Sequence, residues 1–271
     1  MKPIACFPQR ARGCIRAVLT DIDDTLTCRG RLPSCVFSAM ERLQAAGIRV
    51  VPVTGRPAGW CDHIARMWPI DGVVGENGAL YYRYDAFERK MIRRYWKSDP
   101  EREADRRRLE ALARQILQQV PGARIAADQA FRVADLAIDF AEDIDPPLSM
   151  ERVETIVSIF EAAGAVAKIS SIHVNGWFGS YDKLTMASRF FREMFDMDLE
   201  AFKEAILYCG DSPNDAPMFG FFPHAVGVAN VVRFSGKMEA EPAWVTTAEG
   251  GYGFAEMVDV LLQHAQASEV L

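Results

Sequence analysis

Three acidic residues and three threonines surround the end of a short apolar segment near the start of the chain. Val18 and Leu19 belong to the apolar segment, and Asp21, Asp23 and Asp24 come directly after it. The segment predicts a buried strand because it is short and rich in β-forming residues. Side chains two positions apart on an extended chain point the same way, so Asp21 and Asp23 are expected to face one site. Two carboxylates at that spacing repel each other unless a cation or a shared proton relieves the repulsion.

Paired carboxylates at the end of a strand predict two kinds of chemistry. They offer the hard oxygen ligands that Mg²⁺ prefers. A carboxylate can also attack phosphorus and form an acyl phosphate, which makes one of the pair a candidate nucleophile. In an open parallel sheet, ligands bind beyond the carboxyl ends of the strands, where these acids lie. For this segment alone, a turn whose side chains bind the backbone remains the alternative.

A second candidate strand, at residues 48–53, ends in Thr54 and Gly55. The helix predicted at residues 34–46 lies between the two strands. This order favours a right-handed βαβ unit in a parallel sheet. A hydroxyl beside a glycine lets side chain and backbone approach one phosphate oxygen closely. Taken alone, the same pair is more simply explained as the end of a strand followed by a turn.

Polar residues further along the chain add to this set. Lys183 precedes a helix predicted at residues 184–195, and Asp211, Asn214 and Asp215 follow a predicted buried strand. An ammonium near the first acids would neutralise charge on a phosphoryl group. A carboxylate at another strand end can complete a Mg²⁺ shell. Taken singly, these residues are also a helix-start lysine and a helix N-cap.

The four groups together resemble the motifs of the haloacid dehalogenase superfamily of phosphohydrolases. Residues 21–27 match the signature D-x-D-x-T-[LV]-T, Thr54 matches the second motif and Lys183 the third. Residues 210–215 match the fourth motif, G-D-x-x-N-D. The motifs occur in the expected order, so the resemblance covers nearly the whole chain.

The resemblance implies a role for each matched residue. Asp21 is expected to attack phosphorus, and Asp23 to protonate the leaving oxygen and then activate water. Mg²⁺ is expected to be bound by Asp21, by Asp23 through its backbone carbonyl, and by Asp211. Asp215 is expected to orient metal-bound water or Lys183. The residues expected to bind the phosphoryl group are Thr54, Gly55, Lys183 and Asn214.

The fold expected from this resemblance is α/β: a Rossmann-like core with a parallel sheet flanked by helices, plus an inserted α+β cap. The core is predicted at residues 1–81 and 180–271, and the cap at residues 82–179. An antiparallel hairpin with alternating faces is predicted from about residue 80. Helices at 101–120 and 150–163 and strands at 124–127, 136–140, 165–172 and 173–178 follow it. This insert resembles the C2B-type cap of subfamily IIB.

The resemblance implies a Mg²⁺-dependent phosphomonoester hydrolase acting on a small phosphorylated metabolite. A sugar phosphate is favoured, because relatives with this cap include sucrose-phosphate, trehalose-phosphate and mannosyl-3-phosphoglycerate phosphatases. His173, Asn175 and Trp177 are candidates to contact the sugar, unless they only pack. A sugar phosphomutase of the same superfamily is the alternative. A non-catalytic phosphosugar-binding protein is a third possibility, against which the intact Asp21 and Asp23 argue.

Composition narrows the class of partner. A net charge of −6 over 271 residues disfavours nucleic acid and anionic membrane surfaces. The run of three arginines at 106–108 is interleaved with acids, which predicts a solvated helix face. No apolar run approaches the roughly 18 residues of a membrane span. The six cysteines lack a C-x-x-C pair, so they are expected to be reduced thiols in a cytoplasmic protein. The oligomeric state is not determined by the sequence.

Overall fold

A six-stranded sheet with every pairing parallel forms the centre of the computed structural model, which describes residues 1–170 and 172–263. In spatial order its strands are β1 (Lys2–Pro3), β13 (Trp244–Val245), β12 (His224–Gly227), β11 (Ile206–Gly210), β2 (Ala17–Thr20) and β3 (Arg49–Pro52). Strand β2 therefore lies inside the sheet, between β11 and β3. The α/β class predicted from the sequence is confirmed.

Both faces of this sheet are covered, as the apolar character of its strands requires. Val18 and Leu19 are neighbours on β2, and they point into two different hydrophobic clusters. Helices around the sheet are α1 (Gln9–Arg12), α2 (Ser34–Ala45), α3 (Ala58–Met67), α6 (Lys183–Phe195), α7 (Leu199–Phe202), α8 (Ala216–Phe221) and α9 (Gly250–Leu262). Short 3₁₀ segments lie at Ile4–Cys6, Glu76–Gly78, Gln129–Phe131, Lys203–Ala205, Pro213–Asp215 and Ala229–Phe234.

A small antiparallel sheet continues the core beyond β3. It contains β4 (Val73–Gly75), β5 (Leu80–Asp85) and β6 (Lys90–Tyr95), in that spatial order. A parallel bridge between Val53 and Val74 joins it to the edge of the main sheet. Tyr81 and Tyr82 are both buried, each in one of the two clusters that cover the main sheet.

The position of this hairpin changes the domain boundary drawn from the sequence. A cap that begins at residue 82 cuts through β5, whose side chains pack in the core. The charged residues in the hairpin suggested an insert, but Arg93 pairs with Asp62 of α3 and Arg94 with Glu193 of α6, both helices of the core. We therefore propose that the cap begins near residue 97 rather than at 82, and we retain its end near residue 179.

The cap has its own sheet and its own hydrophobic cluster. Its strands, in spatial order, are β7 (Arg124–Ile125), β8 (Leu136–Asp139), β10 (His173–Trp177) and β9 (Val166–Ile169), and every pairing is antiparallel. The helices α4 (Asp99–Gln119) and α5 (Met150–Ala162) cover one face of this sheet. Predicted elements and observed ones differ mainly at their ends. Ser171, within the strand predicted at 165–172, lies outside the described residues.

The arginine run of α4 forms ion pairs along its own helix, as its interleaved acids predict. Arg106 lies 2.7 Å from Glu103, and Arg108 lies 3.5 Å from Asp105. Among the helices that the structure describes, none is long and apolar enough to cross a membrane.

Candidate active site

Polar side chains collect at the carboxyl edge of the parallel sheet, where β2, β3 and β11 end. Asp21 follows β2, Asp211 follows β11, and Thr54 lies two residues beyond β3; all three are buried. The Asp21 N–H continues the strand pairing by donating to the Cys209 carbonyl at 2.9 Å. The sheet therefore brings together side chains from distant parts of the sequence.

Lys183 is a buried cation between two carboxylates. Its Nζ lies 2.8 Å from Asp21 Oδ1 and 2.9 Å from Asp215 Oδ1. It opens α6 because Asp182 caps the helix, accepting the Thr185 N–H at 2.8 Å. Burial opposes the charged ammonium, but the two carboxylates outweigh that effect and raise the pKa of Lys183. Charge neutralisation at Asp21 is thus built into the start of α6.

Asp215 is fixed by bonds to both of its oxygens. Its Oδ1 accepts from the Tyr208 hydroxyl at 2.6 Å, in addition to Lys183. Its Oδ2 accepts from the backbone N–H groups of Asp211 and Ser212 at 3.0 and 3.3 Å. A Cβ at Gly210 would lie 2.5 Å from that oxygen, so glycine is required there. Asp215 is therefore held where it orients Lys183.

Asp211 is also oriented through both oxygens. The Thr25 hydroxyl donates to Oδ1 and the Asn230 amide donates to Oδ2, each at 3.1 Å. Asn230 is itself fixed, because it accepts the Gly250 N–H at 3.1 Å and donates to the Asp24 carbonyl at 3.0 Å. Asn230, in the loop after β12, thus helps to orient Asp211, which follows β11.

Three buried carboxylates lie close enough to share a cation. One oxygen from each of Asp21, Asp211 and Asp215 lies within 4.8 Å of the other two. Burial raises the pKa of Asp21 to about 7 and that of Asp211 well above its usual range, and repulsion from neighbouring acids adds to both shifts. Lys183 only partly offsets the shift of Asp21. Because a divalent cation would relieve this repulsion, the donor set fits Mg²⁺.

The three acids are not equally free to bind a metal. Lys183, Tyr208 and two N–H groups already occupy the oxygens of Asp215. Asp21 and Asp211 have fewer partners. The Asp23 carbonyl oxygen accepts no hydrogen bond from the residues that the structure describes. These observations favour Asp21, Asp211 and the Asp23 carbonyl as ligands, the set expected from the sequence, with Asp215 supporting them.

The Asp23 carboxylate departs from what the two-residue spacing suggests. Asp21 and Asp23 do line one small cavity of about 20 Å³ between core and cap. Asp23, however, is not an unpartnered acid beside Asp21, since Arg56 binds it. Arg56 Nε lies 3.0 and 2.9 Å from its two oxygens, and Nη2 lies 2.7 Å from Oδ1. The sequence predicted that a cation or a shared proton would relieve the repulsion between the two acids, but the cation it indicated was Mg²⁺ and not Arg56.

Groups suited to a phosphoryl oxygen line or adjoin the same cavity. Gly55 and Asn214 belong to its lining. The Gly55 N–H and the Asn214 amide make no hydrogen bond with the residues described here. Thr54 Oγ1 accepts from the Arg56 N–H at 3.1 Å, and its own hydroxyl hydrogen is not engaged with a described residue. Donors are thus available beside Asp21.

The three cap residues suggested for sugar contact do not lie together. His173 and Asn175 line the small cavity, facing Asp21. Asn175 also donates to Asp135 Oδ2 at 3.1 Å. Trp177 instead stacks on Tyr181 and borders an adjacent cavity of about 220 Å³. Contact of the sugar with His173 and Asn175 stays a prediction.

Comparison with known sequences matches the first two motifs to a family. The sequence model of the haloacid dehalogenase-like hydrolases matches residues 18–100, which contain Asp21, Asp23 and Thr54. The chain is thus similar to these hydrolases over the segment that contains its first two motifs. It is 34 % identical over 71 residues to a phosphoglycolate phosphatase from Methanoculleus marisnigri. That match covers 26 % of the chain and spans only 30 % of the length of this curated relative.

Solved structures share the fold over nearly the whole chain, including the cap. The Thermoplasma acidophilum protein 0175 superposes with a TM-score of 0.69 at 20 % identity, over 91 % of this chain and 98 % of the other. The sucrose-phosphatase from Synechocystis, solved with sucrose and phosphate, superposes with a TM-score of 0.61 at 13 % identity, over 90 % and 97 % of the two chains. At these identities the likeness concerns the fold.

Several residues that shape the site were not predicted from the sequence. Arg56, Arg132 and Asn230 each bind a carboxylate or a carbonyl at the site. Arg132 Nη1 donates to the Gly55 carbonyl at 2.9 Å and to Asp135 at 2.9 Å. Of these three residues, only Arg56 could have been suspected from the sequence, because it lies two residues after Thr54 of the second motif.

Glu76 joins the core to the cap from a fully buried position. Its carboxylate accepts the backbone N–H groups of Ala58 in the core and of Val133, Ala134 and Asp135 in the cap, at 2.7 to 3.2 Å. Burial raises its pKa to about 7, and repulsion from Asp135 adds to the shift.

Replacing Glu76 by alanine is expected to lower the free energy of unfolding by roughly 3 kcal/mol or more, because several buried donors lose their acceptor. Urea unfolding followed by circular dichroism measures the change. The matched control is Glu101→Ala, since Glu101 accepts one N–H, from exposed Ser98, at 2.9 Å. It is expected to cost much less, because Glu101 is fully exposed and water can replace its hydrogen bonds. Equal losses in the two variants would show that Glu76 does not join cap and core as described.

Proposed function

We propose that the protein is a Mg²⁺-dependent phosphomonoester hydrolase that acts on a small phosphorylated metabolite, with sugar phosphates as the favoured class. The observation that carries the proposal is the Asp21 carboxylate, which Lys183 holds at 2.8 Å beside a cavity that Asp23 also lines. A nucleophile, a proton-transfer group and a cation converge there, which is what phosphoryl transfer requires.

In the first step, an Asp21 oxygen attacks phosphorus and the bond from phosphorus to the leaving oxygen breaks. Asp23 gives its proton to that oxygen, so the leaving group departs as an alcohol. In the second step, Asp23 takes a proton from water as the water oxygen attacks phosphorus. The bond between Asp21 and phosphorus breaks, which releases phosphate and restores the Asp21 carboxylate and the protonated Asp23.

The remaining groups would bind and orient the phosphoryl group. Lys183 would neutralise charge on its oxygens, and Asn214 would donate to them. Thr54 and Gly55 would donate a hydroxyl and a backbone N–H. Mg²⁺, when bound, would supply positive charge at the phosphoryl oxygens.

The cap bears on the choice of substrate. His173 and Asn175 extend from it into the cavity beside Asp21, so the leaving group would meet them. The sucrose-phosphatase similarity favours a sugar phosphate, and the phosphoglycolate phosphatase similarity makes phosphoglycolate a second ester to test. The acidic net charge and cysteine usage support action in the cytoplasm.

Removal of divalent metal is expected to lower phosphate release by at least about 100-fold, because repulsion among the buried acids then goes unrelieved. The measurement is phosphate release from a panel of hexose phosphates, disaccharide phosphates and phosphoglycolate, with Mg²⁺ and with EDTA. Restoring excess Mg²⁺ to the EDTA-treated sample is the control. Undiminished release in EDTA would contradict the metal dependence. Conversion of hexose 1-phosphate to 6-phosphate with little phosphate release would identify a mutase instead.

A further inference from the structure

Arg56 connects the proton-transfer group to the cap. Its guanidinium binds Asp23 through Nε and Nη2, and the same Nη2 lies 3.0 Å from Glu142 Oε1. Nη1 lies 3.6 Å from Asp128 Oδ2. The guanidinium also lies over the Trp60 ring, 4.4 Å from its centroid. Arg56 itself is only 5 % exposed, so its orientation is tightly restricted.

The two sides of this connection belong to different domains. Arg56 and Asp23 come from loops at the carboxyl edge of the core sheet. Glu142 and Asp128 come from the cap: Asp128 precedes β8 in the chain and Glu142 follows it. One planar cation therefore spans the boundary between the domains, and its contact with Asp23 is shared with the cap.

Glu142 is held in place by its own surroundings. Its Oε2 lies 2.9 Å from His173 Nε2 on β10. The backbone N–H groups of Ala141, Glu142 and Asp143 all donate to the Asp139 carboxylate, at 2.8 to 2.9 Å. The close contact with His173 and the charge of Arg56 lower the pKa of Glu142 to about 2, against the effect of burial. Glu142 is thus a charged partner for Arg56, and its position is restricted by the cap residues around it.

We propose that Arg56 is a positioning residue that orients the Asp23 carboxylate towards the leaving oxygen. Because Glu142 of the cap also binds Arg56, this orientation depends on the contact between cap and core. This inference rests on the proposed function. A lysine cannot replace Arg56, because one ammonium lacks the planar set of donors that binds Asp23 and Glu142 together.

The consequence is a loss that depends on the leaving group. An alkoxide leaves poorly unless Asp23 protonates it, whereas 4-nitrophenolate leaves without a proton. A misplaced Asp23 therefore slows formation of the aspartyl phosphate from a sugar phosphate but hardly from 4-nitrophenyl phosphate. Hydrolysis of the intermediate needs Asp23 in both cases, since water must give up a proton.

The experiment compares Arg56→Lys and Glu142→Gln with the wild-type enzyme in rapid-quench assays on hexose 6-phosphate and 4-nitrophenyl phosphate. For Arg56→Lys we expect the first turnover to fall about 100-fold on the sugar phosphate and less than about 5-fold on the aryl phosphate. With the aryl phosphate, a burst of nitrophenolate should precede a slow steady state. Glu142→Gln should show the same pattern with a loss of about tenfold.

Arg66→Lys serves as the matched control. Arg66 binds Asp62 at 2.8 Å on α3, away from the cavity, so its replacement should leave both rates unchanged. Equal losses of rate on the two esters, or no loss in Arg56→Lys, would overturn the inference about Arg56. The proposed function would still stand in that case, because the wild-type enzyme is active. A wild type that releases phosphate from neither ester would overturn both.

Discussion

Replacing Asp21 by asparagine is expected to lower the rate of phosphate release by about 10⁴-fold or more, because the amide cannot attack phosphorus. The geometry supports this size of effect. Asp21 is the carboxylate that Lys183 holds at 2.8 Å, and the Asp23 carboxylate is bound by Arg56 instead. The measurement is phosphate release from the best ester of the panel, with saturating Mg²⁺.

The fold of Asp21→Asn should survive the change. Burial and neighbouring acids raise the pKa of Asp21, so its charge costs the folded state stability and its removal should not weaken folding. We expect a thermal midpoint no lower than that of the wild type. Activity within about tenfold of the wild type, in a folded variant, would rule out Asp21 as the nucleophile.

Replacing Lys183 by methionine is expected to lower the free energy of unfolding by about 3–5 kcal/mol, besides removing activity. Methionine has nearly the same length but no charge, so Asp21 and Asp215 would stay buried without their cation. Urea unfolding in EDTA measures the loss, because bound metal would mask part of it.

Two companion variants test the cause of that loss. Lys203→Met removes a surface lysine that pairs with Glu200 at 2.6 Å, and should cost less than about 1 kcal/mol. Adding Asp215→Asn to Lys183→Met should restore part of the lost stability, since it removes one stranded charge. A loss for Lys183→Met as small as that for Lys203→Met would show that the buried pairs do not stabilise the fold.

The convergence of residues at the sheet edge could be predicted because it follows from local patterns. Asp21 and Asp211 each follow a short apolar strand, and carboxyl ends of parallel strands meet at one edge. Lys183 had no such local signal. Its position beside Asp21 was inferred only from the resemblance to known motifs, and the structure places its Nζ next to that carboxylate.

The connection between core and cap could not be predicted, because it depends on how two domains pack. Glu142 lies 86 residues from Arg56 in a segment without regular structure. Glu76 sits in an Asn-Gly turn that predicts a hairpin, yet its carboxylate binds cap backbone more than fifty residues away. The charges around Tyr81 and Tyr82 likewise suggested an insert, although both rings are buried in the core.

The most direct test of the account is the site of covalent phosphorylation. Wild-type enzyme is mixed with its best substrate, quenched in acid within one turnover, digested and analysed by mass spectrometry. The aspartyl-phosphate mechanism predicts a transient phosphoryl group on Asp21, absent from Asp21→Asn. Release of phosphate in a single turnover without any phosphorylated Asp21 would contradict it.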